Sequence, residues 1–178
     1  RVPGETFSYS GGGFLVLEHL MNCLKVKIPF SFDPKNLATG YLDSGKKLPK
    51  GYLRFPLFAA GATGTVKDMA AFLSELTKAY NAIKGTTNLS HDTAVSILHG
   101  ENFGSRDFIG ADMGLGTFVF EAGDNRFCMH QGANEGFRAL YLQCFSGPDL
   151  GFGIVVYANG DNKAVRLIAE VTKTILFD

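Results

Sequence analysis

The chain has 178 residues, a length that suits one domain with a sizeable buried core. Its 17 basic and 17 acidic side chains cancel, so net charge gives no reason to expect a nucleic-acid or anionic-membrane partner. No apolar run approaches the roughly 20 residues that a membrane span needs, and we expect no transmembrane segment.

The cysteines and histidines suggest neither a disulfide framework nor a metal centre. Cys23, Cys128 and Cys144 include no CxxC pair. Buried free thiols are the simplest interpretation, although one disulfide with a spare cysteine also fits the count. His19, His91 and His99 have no further ligand residues at the spacing of a metal site, so we expect no bound metal. We also expect no cofactor. Cysteine usage leaves the cellular compartment unknown.

The first quarter of the chain begins with one helical pattern. A glycine-rich turn over 8–13 leads into the apolar run 14–24, which predicts a buried helix that starts near Ser10 or one of the glycines. The prolines and turn residues of 29–56 predict a long wrapped loop.

Two further helices are predicted before residue 100. Thr65 caps the clearer one, Asp68 stands at its capping-box position, and Gly85 ends it. The apolar stripe of this helix contains Val66, Met69, Ala70, Leu73, Leu76, Tyr80 and Ile83. A shorter helix starts at Ser90 and ends near His99, and 100–114 is predicted as loop.

From Leu115 the apolar period changes to two, which is typical of strands. We predict strands over 116–121, 126–130, 137–144 and 151–158, joined by short turns. The last is apolar without alternation, which predicts a central strand covered on both faces. A final helix follows residue 161. The layout is α+β, an antiparallel sheet flanked by helices, and we expect 1–178 to form a single domain.

Two short motifs contain residues that could take part in catalysis. Tyr9 lies in the glycine-rich turn before the first helix, where a phenol could shuttle a proton. His130 lies at the end of a strand, two residues before Gly132, where an imidazole could polarise or hold a substrate. Each residue also has a purely structural interpretation. Tyr9 could simply be packed against its neighbours, and His130 could be an interior histidine whose hydrogen bonds are satisfied.

Five segments, in this order and spacing, resemble serine β-lactamases and D-alanyl-D-alanine carboxypeptidase-like hydrolases, with most likeness to the class C-type penicillin-binding and esterase branch. They are Phe7-Ser-Tyr-Ser-Gly-Gly-Gly-Phe14, Leu37-Ala-Thr-Gly-Tyr41, Ala59-Ala-Gly-Ala-Thr-Gly-Thr-Val-Lys-Asp-Met-Ala-Ala-Phe72, His130-Gln-Gly-Ala-Asn-Glu-Gly-Phe-Arg138 and Ile154-Val-Val-Tyr-Ala-Asn-Gly-Asp161.

This resemblance implies a β-lactamase/transpeptidase-like fold, of which the chain would hold the C-terminal portion. It also implies acyl transfer through a serine ester, on a small ester, amide or peptide substrate. Tyr9 would be the proton shuttle and His130 the strand residue of the site. The backbone N–H of Ala133 would stabilise the oxyanion, and Gly11, Gly132 and Asn134 would line the substrate site. Bacterial members of this family imply an extracytoplasmic location.

The nucleophile of that family is a Ser-x-x-Lys at a helix start, well before the tyrosine motif. The only Ser-x-x-Lys here is Ser44-Gly-Lys-Lys47, among glycines and prolines with no helix to align the pair. We therefore expect the nucleophile outside this chain, on a partner segment. The alternative is a catalytically inactive binding or assembly module. Uncovered apolar surface around Ile168 and Ile175 would favour a partner segment or self-association.

Overall fold

A computed structural model describes residues 2, 4–25, 37–49 and 57–177. In these ranges it contains five α-helices, one π-helical turn and five strands, named here in chain order. They are α1 (Gly11–Cys23), the π-helical turn (Leu57–Gly61), α2 (Val66–Tyr80), α3 (His91–Leu98), α4 (Ser105–Ile109), β1 (Asp112–Met113), β2 (Phe118–Ala122), β3 (Asn125–Asn134), β4 (Phe137–Ser146), β5 (Gly153–Ala158) and α5 (Asn162–Phe177).

The five strands form one antiparallel sheet in the order β1-β2-β3-β4-β5. The predicted α+β class, an antiparallel sheet flanked by helices, is confirmed. The predicted central position of the last strand is wrong, because β5 lies at one end of the strand order in the described part of the chain. Apolar composition reports how well the two faces of a strand are covered, whereas strand order depends on backbone pairing, which composition does not encode.

Contacts between residues divide the chain into two compact units. The first contains Arg1–Ser8, Val66–Gln131 and Leu140–Val155, and the second contains Tyr9–Thr65, Gly132–Ala139 and Val156–Asp178. Strands β3, β4 and β5 each contribute residues to both units. That the 178 residues form a single domain stays a prediction.

The core of the first unit lies between helices α2 and α3 and the sheet. Its buried members are Leu73, Leu76, Ala79, Ala94, Leu98, Val119, Cys128 and Phe145. The helix predicted after Thr65 is confirmed, but it ends at Tyr80 and not near Gly85, because Ala82 has a left-handed φ of 53° that breaks the helical run. Ile83, beyond the helix end, is therefore exposed, and Val66 at the first position of the helix is exposed as well.

The region after α3 is more regular than predicted. Helix α3 is confirmed, with the Ser90 side chain accepting a hydrogen bond from the N–H of Thr93. The predicted loop over 100–114 is wrong in part, because it contains α4 and β1. Gly104 and Gly110 bound α4 with left-handed φ angles of 98° and 74°.

One ion pair holds α4 next to β1. The Arg106 guanidinium donates to both carboxylate oxygens of Asp112, at 2.6 and 2.8 Å, and this contact lowers the pKa of Asp112. Arg106 reaches Asp112 only because the chain turns back after Gly110. Helix α4 has five residues, too few to show a helical periodicity in the sequence, so the helix was not predicted.

In the second unit, α1 begins as predicted, with Ser10 at its N-cap. Its expected burial is wrong within the described residues, because its long apolar side chains are exposed, namely Phe14, Leu15, Val16, Leu17 and Leu20. One face of α1 contacts the π-helical turn, where the Glu18 carboxylate accepts a hydrogen bond from the N–H of Phe58 at 3.0 Å. An apolar run shows that a helix is favourable, but it does not show what covers each face.

The long loop predicted over 29–56 lies largely outside the described residues. Its described part forms a short antiparallel contact between Tyr41 and Lys47. This segment is tied to the end of β5 and the start of α5: the Asn159 side chain donates to the carbonyl of Thr39 at 2.9 Å, and the N–H of Lys163 donates to Asp43 at 2.9 Å.

Helix α5 is confirmed as the final helix. The expectation of uncovered apolar surface on this helix is wrong at Ile168, whose side chain is buried, whereas Val165, Leu167 and Val171 of the same helix are exposed. The Ile175 side chain lies outside the described part of the structure. None of the described helices is both long enough and apolar enough to cross a bilayer.

Leu73 provides a test of the first unit's core. Leu73→Ala should lower the free energy of unfolding by about 2–5 kcal/mol, because a fully buried leucine leaves a cavity when truncated. Its neighbour Phe72 is 53% exposed, and Phe72→Ala should change stability by less than about 0.5 kcal/mol. Urea unfolding of both variants measures the difference, and equal losses would contradict the described packing.

Thiol reactivity tests the cysteine environments. Cys128 and Cys144 are buried free thiols as predicted, whereas Cys23 is exposed, which corrects the expectation for that residue. Burial raises the pKa of Cys128 to about 12 and also raises that of Cys144. We expect a disulfide-exchange reagent to modify one thiol rapidly in the native protein and all three in urea. Rapid native labelling of Cys23→Ser would show that a buried thiol is accessible.

Candidate functional site

Tyr9 lies at the N-terminal end of α1. Ser10 is extended at φ −149° and its hydroxyl oxygen accepts a hydrogen bond from the N–H of Gly12 at 3.1 Å, which fixes the first turn of the helix. Tyr9 precedes this cap directly and is 52% exposed. Tyr9 is therefore adjacent in the chain to the helix end where partial positive charge favours a developing anion.

The π-helical turn joins the start of α1 to the far end of β3. An added Cβ on Gly11 would lie 3.4 Å from the Cβ of Ala59. One residue on, the Asn134 side-chain amide donates to the carbonyl of Ala60 at 2.5 Å. Gly11 and Asn134, both predicted to line a substrate site, thus contact successive residues of the same turn.

No functional signal in the sequence marks Ala59 and Ala60. Ala59 contributes only its Cβ, which an added Cβ on Gly11 would meet at ordinary van der Waals distance, and Ala60 contributes a backbone carbonyl oxygen that any residue could offer. Only their place inside a segment of the family resemblance pointed to them.

The strand that carries the histidine motif is longer than predicted. β3 continues past the expected end at His130 to Asn134, and the turn that follows is Glu135-Gly136, with Gly136 at φ 71°. Gly132 and Ala133 are therefore strand residues, and both are exposed. A strand holds its N–H groups in fixed directions, which a mobile turn would not do.

His130 belongs to the first unit, where its ring is packed between two others. The imidazole stacks on Phe118 at 5.7 Å between ring centroids and 17° between planes, and on Tyr141 at 6.5 Å and 27°. The Tyr141 hydroxyl donates to Thr117 Oγ1 at 3.0 Å, and Thr117 Oγ1 donates to the carbonyl of Met129 at 3.1 Å. These contacts hold the stacked phenol in one orientation.

Removal of the imidazole from water lowers the pKa of His130 below 6.5, against a smaller opposing effect of a backbone hydrogen bond at Gln131. His130 is therefore neutral at pH 7. A neutral imidazole offers one N–H donor and one nitrogen acceptor. It can hold a polar substrate group or exchange a proton without introducing a fixed positive charge.

The predicted site residues are divided between the two units. Tyr9 and Gly11, with Gly132, Ala133 and Asn134, lie in the second unit, and His130 lies in the first. The Ser44-Gly-Lys-Lys47 segment lies elsewhere in the second unit, in an exposed turn where Ser44 Oγ accepts from the N–H of Lys46 at 3.4 Å. It is not helical, so its serine and lysine lack the shared helix face that the family motif requires.

Each of these groups, taken by itself, suits acid–base or acyl chemistry. A phenol at a helix start, a neutral imidazole and backbone N–H groups at a strand end can transfer protons and stabilise a carbonyl oxygen. Across the residues that the structure describes, no three His, Cys, Asp or Glu side chains come together as a metal site.

No protein-family model and no curated protein sequence matches the chain. Solved structures do. The chain is similar to a D-stereospecific amidohydrolase from Streptomyces sp. (TM-score 0.60, 15% identity), with 90% of this chain and 52% of that one covered. It is also similar to the D-amino acid amidase from Ochrobactrum anthropi SV3, solved with D-phenylalanine (TM-score 0.60, 16% identity, 99% and 63% covered).

A third similar structure is SurE (TM-score 0.67, 20% identity), with 95% of this chain and 44% of that one covered. At these identities the likeness establishes the fold alone. The β-lactamase/transpeptidase-like fold class is confirmed on this evidence. The chain spans from under half to under two thirds of the length of these three structures.

The burial of His130 predicts a pH effect on stability. Since its pKa is lower in the folded state than the ordinary 6.5, the unfolded state binds a proton more readily. The free energy of unfolding should therefore be unaffected by this group above pH 6.5 and should fall as the pH drops from 6.5 towards the lowered folded value.

Carbon-detected NMR titration of the His130 ring measures the folded pKa directly, and urea unfolding of His130→Gln at several pH values measures its share of the pH dependence. We expect a smaller stability loss on acidification in the variant than in the parent. A His130 pKa at or above 6.5 would contradict the described burial.

Proposed function

We propose that this chain is part of a serine acyl hydrolase of the β-lactamase-related, class C-type group, which cleaves an amide or ester through an acyl-enzyme. The observation that carries the proposal is the fold similarity to a D-stereospecific amidohydrolase and a D-amino acid amidase. The link that Ala59 and Ala60 make between Gly11 and Asn134 supports it, because it joins the two predicted walls of the site.

In the proposed reaction the nucleophile is a serine of a Ser-x-x-Lys motif outside these 178 residues. Its oxygen bonds to the substrate carbonyl carbon while its proton passes to the lysine. The carbonyl oxygen becomes an oxyanion, stabilised by the N–H of Ala133. The bond to the leaving amine or alcohol then breaks, and water cleaves the resulting serine ester.

Tyr9 and His130 have separate roles in this scheme. The Tyr9 phenol passes a proton to the leaving group, and recovers it in the return step when water attacks. His130, kept neutral by burial, donates or accepts one hydrogen bond on the strand wall and holds a polar group of the substrate. Gly11, Gly132 and Asn134 bind the substrate in this scheme.

For the substrate class we propose amides of D-configured amino acids as the first to test. The two amide-cleaving structures to which the chain is similar are described as D-stereospecific and as a D-amino acid amidase. Their low identity to this chain makes the stereochemistry part of the proposal.

A second candidate is a catalytically inactive binding or assembly module. The turn geometry of Ser44, the only Ser-x-x-Lys serine in the sequence, favours it, since nothing there would activate the hydroxyl. The two candidates differ on whether a longer gene product, or a partner segment, supplies the missing nucleophile.

The chain by itself should not react with fluorophosphonate or penicillin probes. The expected result is an unchanged intact mass after incubation, because Ser44, the one serine followed by a lysine three residues on, lies in a turn and not on a helix. A covalent adduct on Ser44, or on any other serine of the 178 residues, would contradict the placement of the nucleophile outside the chain.

In the protein completed by a Ser-x-x-Lys segment, Tyr9→Phe and His130→Ala should each lower kcat for a D-amino acid amide by roughly 10²–10⁴-fold, the size of lost acid–base assistance. His99→Ala is the control, because the exposed His99 side chain lies next to Glu101, and its rate should stay within about twofold. Steady-state kinetics decides, and unchanged rates in the first pair would remove both residues from the mechanism.

A further inference from the structure

The turn between β3 and β4 is held by one mostly buried arginine. The Arg138 side chain is 12% exposed, and its Nη1 group donates to the carbonyl of Asn134 at 2.5 Å and to the carbonyl of Phe137 at 2.8 Å. These carbonyls belong to the last residue of β3 and the first residue of β4, on either side of the turn Glu135-Gly136. One guanidinium group therefore binds both strand ends.

The other half of the guanidinium binds the start of α5. Its Nη2 group forms an ion pair with the Asp161 carboxylate and donates to the side-chain oxygen of Asn162 at 2.9 Å. Asp161 directly precedes α5, and its carbonyl accepts a hydrogen bond from the N–H of Ala164 in the first turn of that helix. All of these residues lie in the second unit, so Arg138 joins the end of β3 to a helix of the same unit.

Two glycines bring the same turn into close contact with the segment 37–49. A Cβ on Gly40 would lie 2.7 Å from the Phe137 ring. A Cβ on Gly136 would lie 2.6 Å from Leu48 Cδ1. Neither position has room for a side chain, so the turn cannot shift towards this segment.

Asn134 is restrained through both its side chain and its main chain. Its side-chain amide donates to the carbonyl of Ala60 at 2.5 Å, and its own carbonyl accepts from Arg138. Ala133, whose N–H is the proposed oxyanion donor, directly precedes Asn134. Because each residue has only two soft backbone dihedral angles, a movement of the Asn134 carbonyl is transmitted to the Ala133 N–H.

We propose that Arg138 is a positioning residue of the candidate site, which fixes the direction of the Ala133 N–H through Asn134. The proposal rests on the proposed function for the role of Ala133 and extends it to a residue that acts through another. Arginine suits this role, because its planar guanidinium presents several N–H donors in a fixed geometry and binds carbonyls and a carboxylate together. Lysine has one ammonium group on a flexible stem, so Arg138→Lys keeps the charge and loses the geometry.

The positioning can be tested on the chain by itself. NMR relaxation measures the order of the Ala133 N–H bond, and residual dipolar couplings measure its direction. We expect an order parameter of about 0.85 in the parent, typical of a rigid backbone, and one below about 0.6 in Arg138→Lys, with an altered coupling. Arg106→Lys is the matched control, because Arg106 also makes a two-bond ion pair but lies on α4, and Ala133 should be unaffected.

Asp161→Asn provides a second, milder variant. Asparagine keeps a side-chain oxygen that accepts from Arg138 and suits a helix N-terminus equally well, whereas the charge is lost. The loss of order at Ala133 should be smaller than in Arg138→Lys. Circular dichroism checks that each variant stays folded.

An unchanged Ala133 N–H in Arg138→Lys, or an equal loss of order in Arg106→Lys, would overturn the positioning role. If Arg138→Lys does not fold, Asp161→Asn decides, and an Ala133 N–H identical to that of the parent would overturn the role.

Failure of the positioning role and failure of the proposed function give different results. In the completed protein, Arg138→Lys should lower kcat for a D-amino acid amide by roughly 10–100-fold and leave KM within about twofold, because a misdirected oxyanion donor weakens the transition state selectively. If that protein hydrolyses amides and Arg138→Lys leaves kcat unchanged, the positioning role alone is wrong. If Ala133 loses order in Arg138→Lys but no completed protein hydrolyses amides, the proposed function is wrong and the restraint of Ala133 by Arg138 stands.

Discussion

The candidate site depends on the continuation of β3 past His130. If the strand ended at the histidine, as the apolar pattern predicts, Gly132, Ala133 and Asn134 would be turn residues with freely varying N–H directions. Since the strand runs to Asn134, the proposed oxyanion donor Ala133 is a strand residue and its N–H has a fixed direction. Such preorganisation is what electrostatic stabilisation of a transition state requires.

Side-chain contacts hold β3 at each of its two ends. In the first unit, Phe118 and Tyr141 pack against His130, and Tyr141 is itself fixed through Thr117. In the second unit, Asn134 is tied to the π-helical turn that also meets the start of α1. Each support is a contact between residues distant in sequence, so the chemistry at the strand is set by tertiary structure.

The sequence predicted the elements whose signals are local. The Ser10 and Ser90 caps, the helix after Thr65 and the period-two strands were all identified, because capping and periodicity act within a few residues. Helix α4 was not predicted, because the Arg106–Asp112 ion pair that anchors it forms only when the chain turns back after Gly110. The burial of α1 and the central position of β5 were wrong because an apolar segment does not specify its partner.

The residues of the candidate site were likewise predicted only in part. Motif order predicted Tyr9, His130 and the residues after Gly132, and the fold class that this order implied is confirmed by solved structures. The contacts that Ala59 and Ala60 make beside Gly11 and Asn134 could not be predicted, because they join segments that no local pattern connects.

We propose that this chain supplies the oxyanion wall of an acyl hydrolase whose nucleophile lies outside these 178 residues. The most direct measurement is the amide proton shift of Ala133 in the completed protein, before and after its serine is phosphonylated by a fluorophosphonate. We expect a downfield shift, because the phosphonate oxygen accepts a hydrogen bond from that N–H. An unmoved Ala133 resonance with the probe attached would contradict it.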